Sequence, residues 1–215
     1  MDEHTLVTEA EIETAYSKSS NTIGWRLLCS PSETLRGSKV AFIGLNPGGR
    51  TDPLGHPRFA TPHGSAYETE SWANASPGQN ALQRQVRGLF QRLNVQAEQV
   101  LAGNLVPFRS PSWADLPDQK SALAFGRELW TRILMLAQPK LIVSMGREVN
   151  VQLRKVLSAS AETRIPVAWG RVTGSRAEFN GGVLVGLPHL SRFPIIGRAA
   201  SEPGLSALFR ADWRK

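Results

Sequence analysis

Three short stretches constrain this chain more than anything else in it: KVAFIGL at 39–45, KLIVSMG at 140–146 and GGVLVGLPH at 181–189. Each is apolar at nearly every position instead of every second one. A strand apolar on both faces must be covered on both faces, the situation of a parallel sheet between two layers of helices. A further strand is expected in VLAGNLVPFR (100–109) and a short one near IPVAWG (165–170). Helical periodicity fills the intervals. TEAEIETAYSK (8–18) opens with Thr8 and Glu11 spaced for a capping box, and QNALQRQVRGLFQRLN (79–94) lines up Leu82, Val86, Leu89, Phe90 and Leu93 on one face. DQKSALAFGRELWTRILMLAQP (118–139), REVNVQLRKVLSA (147–159) and a segment from about Glu202 complete the set. The expected fold is a three-layer α/β/α domain over 1–215, with a central, mainly parallel four-stranded sheet.

Composition removes several function classes. One cysteine, Cys29, leaves no disulfide framework, no Cys-based zinc site and no four-cysteine iron–sulfur cluster. No metal and no cofactor are expected. No apolar run approaches the roughly 18–20 residues of a bilayer span, and the acidic, amphipathic start MDEHTLVTEAEIETAY does not read as a leader, so a cytoplasmic protein is expected. The net charge of +7, from 25 Lys+Arg against 18 Asp+Glu, is carried mainly by arginines scattered over loops and helix faces. Their forked guanidinium groups suit phosphate oxygens.

Chemistry concentrates where the strands stop. The first ends in Gly44-Leu45-Asn46-Pro47-Gly48-Gly49, the second carries Asn104 before Pro107, and the last runs into Pro188-His189-Leu190-Ser191-Arg192. Parallel α/β sheets place their ligands beyond the carboxyl ends of the strands, so two asparagines and a histidine should meet on one edge. The Gly/Pro/His-rich segment 46–78 is long enough to serve function rather than mere connection. There is no Lys-Ser/Thr of a phosphate-binding P-loop, no dinucleotide fingerprint, no paired carboxylates and no Ser/His/Asp order. His56 and His63, on the long loop, make no three-ligand metal set.

GLNPG at 44–48, NLVP at 104–107 and HLS at 189–191, in that order on three strands, resemble the motifs of the uracil-DNA glycosylase superfamily. The resemblance is nearest to its mismatch-specific and single-strand-selective branches without an iron–sulfur cluster, and it spans roughly 39–195. One departure is Leu190, where the closing motif usually has proline, with Arg192 after the serine. The resemblance implies a monofunctional DNA glycosylase that flips a pyrimidine out of the helix and hydrolyses its N-glycosidic bond. Asn46 would hold the attacking water and His189 would hydrogen-bond the departing base. Gly44, Leu45 and Gly48 would border the base and Asn104 would read its edge, an amide presenting donor and acceptor together. Phe59, or else Tyr67 or Trp72, would stack on it. Pro47, Gly49 and Ser191 would approach the DNA backbone, while Arg192 and Phe193 would probe the duplex.

By the same resemblance, Gly48 stands where the most uracil-selective branch has a bulky aromatic, so 5-substituted pyrimidines should be admitted. The substrate range then covers uracil, mismatched thymine, hydroxymethyluracil and larger modified cytosines such as phages use, which would make the role repair or antiviral defence. DNA, single- or double-stranded, is the expected partner of a monomer. Two other readings stand beside this one: a catalytically inactive DNA- or nucleobase-binding protein of the same fold, and an N-glycosidic hydrolase of free nucleosides or nucleotides.

Overall fold

A computed structural model describes residues 7–214; the acidic start at 1–6 and Lys215 lie outside them. In chain order the elements are α1 (Glu9–Ser17), β1 (Val40–Gly44), α2 (Ala66–Thr69), α3 (Ala81–Arg92), β2 (Leu101–Asn104), α4 (Gln119–Ala137), β3 (Leu141–Met145), α5 (Arg147–Val156), β4 (Thr163–Trp169), β5 (Val172–Phe179), β6 (Gly182–Leu187) and α6 (Glu202–Phe209). One sheet runs in the order β2-β1-β3-β6-β5-β4. The first four of these strands are parallel; β5 and β4 are antiparallel to their neighbours.

The apolar runs divide cleanly between two cores. Val40 and Phe42, with Ala102, Val143 and Val185, face α3 and α6 through Val86, Leu89, Phe90, Leu205 and Leu208. Ala41 and Ile43, with Leu101, Ile142 and Leu184, face α4 and α5 through Leu129, Trp130, Ile133, Val149 and Leu153. Successive side chains on a strand point to opposite faces, so a strand in the middle layer must be apolar throughout.

The sheet has six strands, not the expected four. β4 is longer than the apolar IPVAWG stretch, and β5 carries no apolar run at all. VTGSRAEF reads as polar and is broken by Gly174, yet a Cβ there would come within 2.5 Å of Leu208 Cδ1 on α6. The buried positions of β5 are the small residues Gly174, Ser175 and Ala177, which admit close packing of helices but make no apolar run of the kind that identifies the parallel strands. Turn chemistry marks the pair: Gly170 and Gly181, both at positive φ, join β4 to β5 and β5 to β6.

At the other edge, residues 25–31 run along β2, with antiparallel bridges Trp25↔Phe108 and Leu28↔Gly103, and Thr61 pairs with Pro31 outside them. This layer covers an edge that would otherwise offer unpaired backbone groups. Among the described residues no helix is long and apolar enough to cross a membrane.

Candidate active site at the strand ends

β1 and β2 stop pairing as strands at Gly44 and Asn104, but their chains stay joined beyond the sheet. Leu105 N–H donates to the Gly44 carbonyl and Val106 N–H to that of Leu45, both at 2.8 Å, and Ser110 N–H reaches the Pro47 carbonyl at 3.2 Å. Asn46 is the side-chain link in this ledge. Its Nδ2 donates to Ser110 Oγ at 2.8 Å and to the Phe108 and Pro47 carbonyls, each at 3.3 Å. Ser110 in turn donates to the Ser112 carbonyl at 2.7 Å. Carbonyl acceptors fix which end of the amide is nitrogen. The amide nitrogen is held inward, and among the described residues none donates to Oδ1.

Two strand positions away along the sheet edge, about 10 Å at the usual interstrand spacing, β6 delivers His189. The half-buried ring shares a hydrogen bond with Ser191 through Nδ1 and Oγ, 2.9 Å apart. Burial, and secondarily the Arg192 charge, push the imidazole below its ordinary value. In the tautomer in which Ser191 donates to Nδ1, the neutral ring carries its proton on Nε2. Leu190, the departure from the usual motif, is fully buried and packs into the core shared with α3 and α6, pinning the loop between His189 and Ser191. Phe193 also turns inward and meets Trp169 edge-on with ring centroids 6.3 Å apart, while Arg192 is exposed.

Between Asn46 and His189 lies the end of β3. A Cβ on Gly44 would stand in ordinary contact with Met145 Cε at 3.5 Å, Asn104 Oδ1 at 3.6 Å and the Gly103 carbonyl at 3.9 Å. Asn104 is buried; its Nδ2 donates to the Arg26 carbonyl at 3.2 Å, and its own carbonyl accepts the Trp130 indole N–H at 2.8 Å. Gly126 lets α4 approach closely enough for that bond, since a Cβ there would collide with the Leu105 carbonyl oxygen. Asn104 is thus a rigid member of the floor, its amide nitrogen tied to the 25–31 layer. Gly146, at φ 101, turns β3 directly into α5 with no side-chain cap, so the helix N-terminus opens at this edge.

The sequence did not disclose the buried charges beneath the long loop. Arg26, 4% exposed, grips Glu70 with two hydrogen bonds of 2.7 Å, and the Trp72 indole donates to the same carboxylate at 2.9 Å. His56 Nδ1 stands 3.3 Å from it. Burial works against the Glu70 charge, but the hydrogen bonds and charge of Arg26, helped by Trp72, hold its carboxyl below the usual carboxylate range. Arg109 is also buried and donates through Nη1 to the Gly48 carbonyl, holding the ledge from beneath. Gly49, at φ 119, lies against the same guanidinium. A pairing such as Arg26 with Glu70, 44 residues apart, leaves no local pattern to read.

Of the stacking candidates, Tyr67 is buried edge-on against Phe42, with centroids 5.7 Å apart. Phe59 is half-buried outside Leu28, whose N–H its carbonyl accepts at 2.9 Å. Pro47 is buried in the ledge, while Gly48, Gly49 and Ser191 are exposed, and a Cβ on Gly48 would meet nothing within 4 Å. His63 is exposed, and among the described residues no three His, Cys, Asp or Glu side chains gather to hold a metal ion.

The strand-end motifs, the parallel sheet that gathers them and the ledge carrying Asn46 fall inside one family match. The model of the uracil DNA glycosylase superfamily covers residues 31–194. No curated protein matches the chain. With about three-quarters of its length inside that match, the chain belongs to the uracil DNA glycosylase superfamily.

Proposed function

We propose that this site hydrolyses the N-glycosidic bond of uracil or a C5-modified pyrimidine flipped out of DNA, leaving an abasic site. The observation that carries this reading is the complementary fixing of two groups on one sheet edge. Asn46 is anchored through its nitrogen, and His189 is occupied at Nδ1 by Ser191, which in the tautomer with Ser191 as donor makes Nε2–H a donor. A water donating to Asn46 Oδ1 has its lone pair free for the sugar C1′. As the C1′–N1 bond breaks, its electron pair leaves with the base. The water oxygen bonds C1′ and its surplus proton passes to solvent, which protonates the released base anion. The charge gathering meanwhile on the base O2 is met by His189 Nε2–H and the open N-terminus of α5. Asn46 is not a base; it orients the water, and the site works by positioning and electrostatics.

The neutral state of His189 has a pH consequence. Its value lies below 6.5, so activity should hold through neutral pH and fall only under more acid conditions, when the ring gains a charge that repels the cationic sugar. Arg192→Gln removes one cause of the depression, and the acid limb of the pH–rate profile should move upward. An unchanged limb would mean that another group titrates.

Space at Gly48 supports a substrate range wider than uracil. Gly48→Tyr should fold normally, because the position has open space and no left-handed backbone requirement. Uracil turnover should persist while release of 5-substituted pyrimidines drops by about 10²-fold or more. Equal losses on both would remove Gly48 from the base edge.

The general test is a panel of labelled oligonucleotides, single- and double-stranded. They contain uracil, mismatched thymine, hydroxymethyluracil, hydroxymethylcytosine or its glucosylated form, and alkali reveals abasic sites. Strand breaks at any target base, lost in His189→Ala by about 10²–10³-fold, support the glycosylase. Salt-sensitive binding with no break anywhere favours an inactive DNA-binding protein.

A further inference from the structure

Two arginines are buried among the described residues, Arg26 and Arg109, and they are satisfied very differently. Arg26 uses every nitrogen: Nη1 and Nη2 donate to Glu70 and Nε donates to the Leu28 carbonyl at 2.9 Å. Arg109, 7% exposed, makes one side-chain hydrogen bond among the described residues, from Nη1 to the Gly48 carbonyl. Its Nε is buried without a partner among them. The Asp52 carboxylate stands 4.0 Å from that nitrogen, beyond hydrogen-bond reach, and is engaged with Arg58 at 2.7 Å. Burial pushes Arg109 below its ordinary value, against the pull of the Asp52 charge. A guanidinium stays charged and carries five N–H donors, so this one holds donors in reserve.

A buried cation without a hydrogen-bonded counter-charge costs stability, and the ledge does not require one. Holding a single carbonyl takes only a neutral amide. What the cation adds is a set of strong donors, and their position identifies what they meet. Nη1 lies at the Gly48 carbonyl, and a Cβ on Gly49 would stand 3.5 Å from it. A Cβ on Gly48 would meet nothing within 4 Å. Neither ledge residue beside the guanidinium puts a side chain over it. Gly48 is also the residue that borders C5 of the flipped pyrimidine on the reading above. Backbone phosphates stay at the surface, where Arg50 and Arg192 are exposed. A group carried into the site on the base is what a guanidinium this deep can reach.

We infer that Arg109 is a specificity-determining residue, donating to an oxygen on the C5 substituent of the flipped base. The inference rests on the glycosylase reading and narrows it to pyrimidines bearing a hydroxymethyl or larger oxygen-containing group at C5. Open space at Gly48 admits substituents of either polarity; the Arg109 donors favour the one with an acceptor. A site holding buried donors rejects an analogue that leaves them unpaired more strongly than an apolar pocket rejects a misfit in size.

The test compares 5-hydroxymethyluracil with 5-ethyluracil in the same single-stranded oligonucleotide, because the two substituents match in size and differ by one oxygen. The unaltered chain should favour the hydroxymethyl base by about 10–10²-fold in kcat/KM. Arg109→Met, of similar reach and without donors, should lower that ratio by about the same factor. Arg109→Gln, which retains an amide donor for the Gly48 carbonyl, should lower it as well. Each variant is its own reference, so a general loss from a loosened ledge or a smaller folded fraction cancels in the ratio. Equal handling of the two bases by the unaltered chain would overturn the inference whether or not the variants fold. An unchanged ratio in either folded variant would overturn it too.

Titration of the same two strands in an Asn46→Ala background reads recognition without cleavage and should show the same Arg109-dependent preference. Base release from the unaltered chain with no such preference would overturn the inference and leave the glycosylase reading standing. An Arg109-dependent preference in binding, with no base released from any strand, would support the inference and count against the glycosylase chemistry alone.

Discussion

Asn46→Ala is expected to bind DNA as the unaltered chain does and to release base about 10²-fold or more slowly. On the proposed reading the side chain supplies the acceptor that orients water. Single-turnover kinetics beside a binding titration separate the two effects. Ser110→Ala is the informative companion. It removes the 2.8 Å partner of Asn46 Nδ2 but leaves the Phe108 and Pro47 carbonyls in place. The amide then keeps its orientation less firmly, and turnover should fall about tenfold with little change in KM. Asn46→Asp should not rescue activity. A carboxylate would face two backbone carbonyls where the amide now donates, which costs about 1–3 kcal/mol and leaves the group poorly placed.

The second large effect concerns stability. Arg26→Met should destabilise the fold by about 3–5 kcal/mol, because it strands the Glu70 carboxylate in a site where its partners are otherwise Trp72 and His56. Arg26→Met with Glu70→Met should recover most of that loss, since an apolar pair of similar volume leaves no buried charge. Chemical denaturation of the three proteins measures this directly, and an uncorrected double variant would contradict it. The pH dependence follows from the depressed Glu70 value. A group whose folded value is lowered contributes stability above its unfolded value and loses it as pH falls through the folded one. The Arg26–Glu70 contribution should thus be full at neutral pH and disappear in acid below the ordinary carboxylate range. Because the pair also abuts His56, its loss should loosen the long loop before the sheet unfolds.

The parallel half of the sheet was readable because each of β1, β3 and β6 is sealed on both faces and so carries an unbroken apolar run. The antiparallel half was not. β4 and β5 answer to turn residues and to glycines such as Gly174 that admit α6, not to hydrophobic periodicity. At the site, Asn46, Asn104 and His189 were visible because a strand end is where an isolated polar side chain calls for an explanation. Ser110 and Arg109 were not visible, since their roles depend on β1 and β2 remaining paired past the sheet. Leu190 shows the same limit from the other side: as a motif it is a substitution, and only packing reveals it as the anchor of the His189 loop. The Arg26–Glu70 pair joins distant residues, and nothing local in WRLLCS or YETESW announces it.

Mass-spectrometric detection of free base tests the central claim most directly. The chain, Asn46→Ala and His189→Ala would each be mixed with a uracil-containing single strand and its 5-substituted counterparts, with binding measured in parallel. Free pyrimidine and an abasic strand from the unaltered chain, nearly absent from both variants at equal DNA occupancy, are expected if the strand-end site performs the hydrolysis. Bound DNA with no free base from any strand, or base release unaffected by either substitution, would contradict it.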